Sequence, residues 1–290
     1  MKQNKKDEKN KKLRGQEGFE EFYKGIFGSR WEELKASFFK ENDSVEYHIP
    51  GAEKSYFLDS ASVLAAACLP LDGAEKILDL CAAPGGKTIV LASRMDSQAR
   101  LSSIERSPDR KHILSLSVES CIPPQIAERI TVSCSDGSTW CTRQTECFDR
   151  ILLDAPCSSE RHVNSSPKYL ADWSLSRIKT VTSEQWALLS SAYRLLTPGG
   201  ILLYSTCALC PKENDEMIER LQKKFNKDNQ SFSLLDAQPD SSIINQFVKT
   251  TFPSYEKTLY GYQILPDRQK GAGPIYFAII QKNKSINELQ

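Results

Sequence analysis

Between Lys76 and Ser205 the chain repeats one unit, a short apolar run followed by a longer stretch whose apolar residues recur at helical spacing. The runs are Lys76–Leu80, Arg100–Ile104, Arg129–Ser133, Asp149–Asp154 and Gly200–Ser205. The intervening helices are expected near Lys87–Arg94, Pro108–Ser120 and Thr182–Leu196. A helix between two strands carries the chain back across the sheet, so successive strands run parallel and both sheet faces are covered. The rhythm therefore predicts an α/β fold. Thr197-Pro198-Gly199-Gly200 is expected to be a chain reversal into the fifth run. Beyond a helix at Pro211–Phe225 lie an apolar run at Phe232–Leu235 and two more, Leu259–Leu265 and Ile275–Gln281, joined through Gly271 and Gly273. They predict an antiparallel hairpin closing the sheet.

Ahead of this unit, Phe19, Phe22, Tyr23, Ile26, Phe27, Trp31, Leu34 and Phe38 recur at three- and four-residue steps, the pattern of an amphipathic helix. Ser60–Leu69 is expected to form another helix. The division that follows is a basic flexible tail at 1–18, a helical extension at 19–55 and a main domain at 56–290. The 290 residues suffice for one core with a small attachment. The 40% hydrophobic and 26% charged composition is that of a soluble globular protein, and no apolar run reaches the roughly 18 residues of a membrane span. The start lacks the apolar segment of a secretory signal, and Asp7 and Glu8 depart from the acid-poor pattern of a transit peptide. Nine cysteines, an odd number scattered through strands and helices, fit a reducing compartment, which points to the cytoplasm. A net charge of +1 supplies no overall basic field, although residues 1–14 hold seven Lys or Arg against two acids.

The segment Leu78-Asp79-Leu80-Cys81-Ala82-Ala83-Pro84-Gly85-Gly86-Lys87-Thr88 runs from a strand through small residues and two glycines into a helix. Such a turn lets the backbone approach a ligand outside the carboxyl end of the sheet. It is not a phosphate loop of the G-x-x-x-x-G-K-[ST] kind, because Cys81 stands where the first glycine would be. Nor does it match G-x-G-x-x-G. Glu105 ends the next strand 20 residues after Gly85, the spacing at which an acid meets a ribose diol. Asp136 follows the third strand and Asp154 ends the fourth, so these acids converge on one edge.

Two thiols reach the same edge, Cys157 after Asp154-Ala155-Pro156 and Cys207 after Ser205-Thr206. Carbon 5 of cytosine is too poor a nucleophile to accept a methyl group until a thiolate adds to carbon 6. That chemistry needs one thiol to attack, one group to release the enzyme, and an acid beside the ring nitrogen that gains electron density. Cys207, Cys157 and Asp154 would complete the set. A methyltransferase acting on nitrogen or oxygen needs no thiol, and a noncatalytic RNA-binding assembly protein has no use for this set.

The runs LDLCAAPGGKT, DAPCSS and STC, in that order, resemble the Fmu/Sun family of RNA cytosine-5 methyltransferases over about Tyr56 to Lys282. The resemblance implies a Rossmann-like class I methyltransferase fold with S-adenosylmethionine as cofactor. By the same resemblance Cys81, Ala82, Ala83, Pro84, Gly85, Gly86, Lys87, Glu105, Arg110, Asp136 and Asp154 line the cofactor site. Cys207 would be the nucleophile and Cys157 would assist release. The implied substrate is RNA, ribosomal first and transfer RNA second, with the cytosine flipped out of its stack. The stretch Ser158-Ser159-Glu160-Arg161-His162 replaces a glycine-containing turn and is more similar to the mitochondrial-type branch. No separate RNA-binding domain of ordinary size fits before Tyr56, which points to a minimal, monomeric member relying on its catalytic face or on a protein that delivers the RNA. Neither a membrane nor a metal is expected.

The remaining candidates are weaker. Cys207 and Cys210 have C-x-x-C spacing but no second pair to complete a zinc site. Cys134, Cys141 and Cys147 are irregularly spaced, and His48, His112 and His162 are too dispersed for a triad. For Arg161, Lys168, Arg177 and Lys179, contact with RNA phosphates and ordinary solvated charge are equally good accounts.

Overall fold

The computed structural model describes residues 13–41, 44–227, 231–246 and 252–284. Its elements in chain order begin with α1 (Gly15–Phe27), α2 (Trp31–Ser37) and a hairpin of β1 (Ser44–Tyr47) with β2 (Tyr56–Asp59). The parallel unit follows: α3 (Ser60–Ala67), β3 (Lys76–Leu80), α4 (Gly86–Ala92), β4 (Arg100–Glu105), α5 (Pro108–Cys121), α6 (Pro124–Ala127), β5 (Ile130–Cys134) and β6 (Phe148–Asp154). Three helices, α7 (Glu160–Asn164), α8 (Pro167–Ala171) and α9 (Leu175–Leu195), then lead into β7 (Leu196–Thr206). The chain closes with α10 (Asp215–Lys227), β8 (Phe232–Leu234), α11 (Ser241–Gln246), β9 (Glu256–Lys257), β10 (Tyr262–Ile264) and β11 (Ile275–Lys282).

The main sheet runs β5-β4-β3-β6-β7-β11-β10-β9, with β8 added against β11. All pairs from β5 to β7 are parallel, β11 joins β7 antiparallel, and β10 and β8 each join β11 antiparallel. The expected α/β sheet with an antiparallel end is thus present. From β3 the chain moves outward to β4 and β5, then returns to the other side of β3 as β6. That reversal opens a crevice at the carboxyl ends of β3 and β6, where ligands bind in such sheets. Leu78, Leu80, Ile151, Leu153, Leu202 and Tyr204 face one buried layer, while Ile77, Leu101, Leu152 and Leu203 face the other. Alternate residues of one strand therefore serve opposite cores, as period-two geometry requires.

Several expected boundaries move. The assigned tail at 1–18 overlaps α1, which already begins at Gly15; residues 1–12, with most of the basic run, lie outside the described residues. Gly15 takes φ +63, its amide donates to Trp173 O at 2.9 Å, and Arg14 bridges to Ser174, so the helix starts where the chain meets the main domain. The extension at 19–55 is not wholly helical, because β1 pairs with β2 across the expected boundary at 55/56. Nor does it stand apart: Phe19, Tyr23, Trp31 and Leu34 form one buried cluster with Trp173, Ile178 and Leu209. α9 begins seven residues before Thr182, since burial of Ile178 in that cluster outweighs the weak helix propensity of a Ser- and Thr-rich start. The expected reversal at 197–200 is absorbed into the start of β7, where a register shift opposite Phe148 and Arg150 takes up the irregularity.

Candidate active site

Five strand ends bring the expected residues together. The turn after β3 holds Cys81 at φ +67 and Gly85 at φ +116, both left-handed. At Gly85 a Cβ would lie 2.9 Å from Ser117 Cβ, so only glycine fits without displacement. Arg110, from the first turn of α5, donates from Nη2 to Ala83 O at 2.6 Å and ties the turn to the next helix. Asp136 caps the 3-10 helix at Gly137–Thr142 by accepting from Ser138 N at 2.9 Å. Together these surround a cavity of about 440 Å³ lined by Cys81, Ala83, Glu105, Arg110, Asp136, Asp154, Cys157 and Cys207, among others. Of the expected cofactor residues, Ala82, Pro84, Gly86 and Lys87 instead line a smaller cavity of about 300 Å³ behind the turn, which also touches Cys81, Ala83 and Asp154. Gly85 borders neither.

Glu105 is buried at 2% exposure, with Oε1 accepting from Ser107 N at 3.0 Å. Its Oε2 lies 3.2 Å from Arg110 Nη1 yet accepts no hydrogen bond. A buried carboxylate oxygen with spare capacity is a vacancy for a donor such as a hydroxyl. Asp154 is held from two sides, by Ser205 Oγ at 2.7 Å and by Lys87 Nζ at 2.7 Å. Burial pushes the Lys87 ammonium down, but the charge of Asp154 and its hydrogen bond more than offset this, so the lysine stays protonated.

The two thiols meet at the end of β7. Cys157 Sγ lies 2.7 Å from Cys207 Sγ, and Ser159 Oγ lies 3.3 Å from Cys207 Sγ. The hydrogen bond from Cys157, opposed by burial and helped by Ser159, pulls the Cys207 thiol below its ordinary range. The same bond, with burial, pushes Cys157 far up. The pair is thus biased toward thiolate at Cys207 and toward thiol at Cys157. Cys207 also borders a second cavity of about 640 Å³ on its other side. That space is walled by Phe38 and Lys40 from the N-terminal unit and by Gly273, Pro274 and Ile275 from the C-terminal hairpin.

Several other candidates fall elsewhere. Cys210 is buried in the N-terminal cluster with Tyr23 and Trp31, which separates its environment from the cavities beside Cys207. Arg161 is half-buried, and its guanidinium is taken up by the carbonyls of Phe38, Lys40, Gly271 and Gly273, to which it donates. Lys168, Arg177 and Lys179 are exposed. Among the described residues no group of three or more His, Cys, Asp or Glu is placed to hold a metal ion. Sequence reasoning missed Ser159 and the buried acids Asp79, Glu160 and Glu213. Asp79 stands within the glycine-turn run and Ser159 within DAPCSS, whereas Glu160 and Glu213 have no local pattern that marks them as buried.

The family model for 16S rRNA methyltransferase RsmB/F matches residues 66–278, well over half of the sequence. The chain belongs to the RsmB/F family. Within reach of that family, the chain is 34% identical over 249 residues to the mouse mitochondrial tRNA (cytosine(34)-C(5))-methyltransferase, covering 84% of this chain and 69% of the relative. It is 35% identical over 189 residues to ribosomal RNA small subunit methyltransferase F of Aeromonas salmonicida, covering 65% of this chain and 38% of that one. It therefore spans most of the first relative and little more than a third of the second. A methyltransferase homolog protein from Pyrococcus horikoshii superposes with a TM-score of 0.64 at 21% identity, over 91% of this chain and 94% of that one, which supports the shared fold. S-adenosylmethionine is the cofactor of RsmB/F methyltransferases, and the residues present fit it. The free carboxylate oxygen of Glu105 suits a ribose hydroxyl, and the cavity has the size usual for small ligands. No helix among the described residues is long and apolar enough to cross a membrane.

Proposed function

We propose that this chain transfers a methyl group to carbon 5 of a cytosine in RNA, with Cys207 as covalent nucleophile, Cys157 as the group that releases the enzyme, and Asp154 beside ring nitrogen 3. The observation that carries this reading is the pair of thiols in contact, one biased to thiolate and one to thiol, between two cavities. The cavity of about 440 Å³ is assigned to the cofactor, with Cys81, Ala83, Glu105, Arg110, Asp136 and Asp154 as its walls. Ala82, Pro84, Gly85, Gly86 and Lys87 shape the turn beneath it. The cavity of about 640 Å³ is assigned to the flipped base. When bound, S-adenosylmethionine supplies an electrophilic methyl group.

The rest is done by the chain. The Cys207 thiolate forms a bond to carbon 6, and the displaced electron pair makes carbon 5 nucleophilic while charge gathers at nitrogen 3. The Lys87 ammonium, which donates to Asp154, supplies through that carboxyl the proton that nitrogen 3 gains and takes it back when the electrons return, while Ser205 keeps Asp154 in place. Once carbon 5 is methylated, its proton must go to a base. Cys157 is held protonated chiefly by its hydrogen bond to Cys207. After Cys207 has become a neutral thioether that restraint is gone, so Cys157 can lose its proton to solvent, the one proton the reaction releases, and then take the one on carbon 5. The carbon–hydrogen electrons restore the ring double bond, the carbon–sulfur bond breaks, and Cys207 leaves as thiolate. One hydrogen bond thus hands the base role from one sulfur to the other in order.

Ribosomal RNA is proposed as the first substrate class to test, after the family description, and transfer RNA as the second, favoured by the long match to the mitochondrial relative. A cytoplasmic, monomeric protein is proposed on its nine unpaired cysteines and on the completeness of both cavities within one chain, with delivery of RNA by a partner a further part of the proposal. Bisulfite sequencing of total RNA from cells with and without the gene tests it, with a lost cytosine signal expected in one of the two classes. Incubated with RNA from the deficient cells, Cys207→Ala is expected to show no methylation, and Cys157→Ser to accumulate a denaturant-stable protein–RNA adduct. Normal turnover by Cys207→Ala would remove the covalent mechanism.

A further inference from the structure

Behind the thiols lie two carboxyl groups that the chemistry above does not use. Glu160 and Glu213 both show 0% exposure, and among the described residues no salt bridge reaches either. What joins them is Ser158. Its hydroxyl contacts Glu160 Oε1 and sits 2.5 Å from Glu213 Oε1, and its amide donates to Glu213 Oε2 at 2.9 Å. A serine hydroxyl carries one hydrogen, so two close contacts to carboxyl oxygens need a second proton, which one of the acids must supply. Burying two uncompensated carboxylates side by side would also be prohibitive, whereas one negative charge shared over the pair is tolerable.

The pair is bonded to both thiol loops. Ser158 follows Cys157 directly, and Leu209, two residues after Cys207, donates its amide to Glu160 Oε2 at 2.9 Å. Gln185 of α9 donates both to Glu213 Oε2 at 3.1 Å and to Pro156 O at 2.9 Å. Tyr204 of β7 donates to Glu213 O at 2.7 Å, and Tyr23 of α1 donates to Glu160 Oε1. The other titratable groups facing the pair are Cys210, Cys157 and Cys207, the last of which feels the charge of Glu160, with the Lys212 charge nearest to Cys210.

We propose that Glu160 and Glu213 share one proton through Ser158, and that this shared proton locks the Cys157 and Cys207 loops together and so positions the two thiols. The proposal rests on the reading of Cys207 and Cys157 given above and adds Glu160, Ser158 and Glu213 as positioning residues. In keeping with it, burial and then the charge of Glu160 push Glu213 up to about 8. Above that pH the second carboxylate ionises, Ser158 can satisfy only one of them, and the loops separate.

The test is the rate of alkylation of Cys207 by iodoacetamide in the full chain from pH 6 to 10, read peptide by peptide with mass spectrometry. Glu213→Gln places an amide donor where the proton sits and keeps an acceptor for Ser158 N and Gln185, so a wild-type profile below pH 8 is expected, without the change above it. Glu213→Leu removes donor and acceptor together; the Cys207 midpoint should rise toward that of an ordinary cysteine, with the rate at pH 7 falling about tenfold. If Glu213→Leu does not fold, Ser158→Ala removes only the bridging hydroxyl and is expected to shift the midpoint the same way. A folded Glu213→Leu or Ser158→Ala with the wild-type profile would overturn the proposal, as would Gln and Leu at 213 behaving alike. The assay contains neither RNA nor methyl donor. A wild-type chain that fails to methylate RNA but shows the expected profiles would therefore count against the functional reading alone.

Discussion

Lys87 shows how a single side chain sets the charge of the site. Its ammonium has 10% side-chain exposure, and the downward push of burial is more than offset by Asp154 at 2.7 Å. The charge of Asp154 holds the lysine ionised, and Asp154 keeps a fixed orientation because Ser205 takes its other oxygen. Lys87→Met is expected to leave Asp154 without its charged partner and to lower kcat by roughly a hundredfold, with a smaller change in KM for RNA; an unchanged kcat in steady-state kinetics would contradict this. Asp79, beneath the same turn, behaves differently. Burial, opposed by the hydroxyl of Thr88 and aided by the charge of Asp154, pushes its carboxyl up to about 7. The folded chain therefore holds a proton there between roughly pH 4 and 7 that the unfolded chain has released. More protons bound when folded means that this residue's contribution to stability is complete below about pH 4 and is lost as pH rises to 7. Denaturant unfolding at pH 5 and pH 7.5 should show Asp79→Asn losing less stability between the two than wild type does; equal slopes would exclude a raised carboxyl.

At the scale of elements, the site exists because five strand ends are brought level at one edge. The turn between β3 and α4 is the most constrained of these joints. Gly85→Ala must accept both φ +116 and a Cβ 2.9 Å from Ser117 Cβ, whereas at Gly86 the nearest contacts are the side chains of Tyr56 and Leu58 at 3.1 and 3.2 Å. Gly85→Ala is accordingly expected to cost about 1–3 kcal/mol and to weaken S-adenosylmethionine binding. Gly86→Ala should cost less, and thermal melts with cofactor titration by calorimetry would show the order reversed if the backbone were free to adjust. Residues at these joints were legible in the sequence, because each stands at a fixed offset from an apolar run: Cys81 and Gly85 after β3, Glu105 at the end of β4, Asp154 and Cys157 after β6, Cys207 after β7. Their offsets implied one shared edge before any coordinates. Glu160 and Glu213 were not legible. A glutamate in a polar stretch reads as solvated, and its burial follows only from α1, α9 and the two thiol loops packing over it, which no local spacing encodes.

For the molecule as a whole, the least legible feature was that the N-terminal unit is part of the site. Periodicity marked the stretch Phe19–Phe38 as helical, where the structure has the two helices α1 and α2, but an amphipathic stripe says that a partner exists and not which surface it is. The partner is the segment from Val163 to Ile178 together with Leu209 and Cys210, so the unit packs directly behind the Cys207 loop. Arg161 then fastens its end. Four carbonyls, two from residues 38 and 40 and two from Gly271 and Gly273, share one guanidinium, which burial holds below its ordinary range and Asp59 supports. This fork joins the N-terminal unit to the loop before β11 beside the larger cavity. Replacing it by Met would strand those carbonyls, and hydrogen bonds from a charged donor contribute about 1.5–3 kcal/mol each way. With water replacing most of the lost donors, a net loss of about 2 kcal/mol should lower Tm by roughly 4–8 °C, at about 2–4 °C per kcal/mol for a large domain; Arg161→Met should also expose the chain near Lys40 to trypsin and raise KM for RNA more than it lowers kcat. Arg161→Lys keeps the charge but cannot reach four acceptors, so it should recover less than half of the lost stability. Limited proteolysis and melting curves that match wild type in Arg161→Met would mean that the N-terminal unit holds its place through the aromatic cluster of Phe19, Tyr23, Trp31 and Trp173 alone.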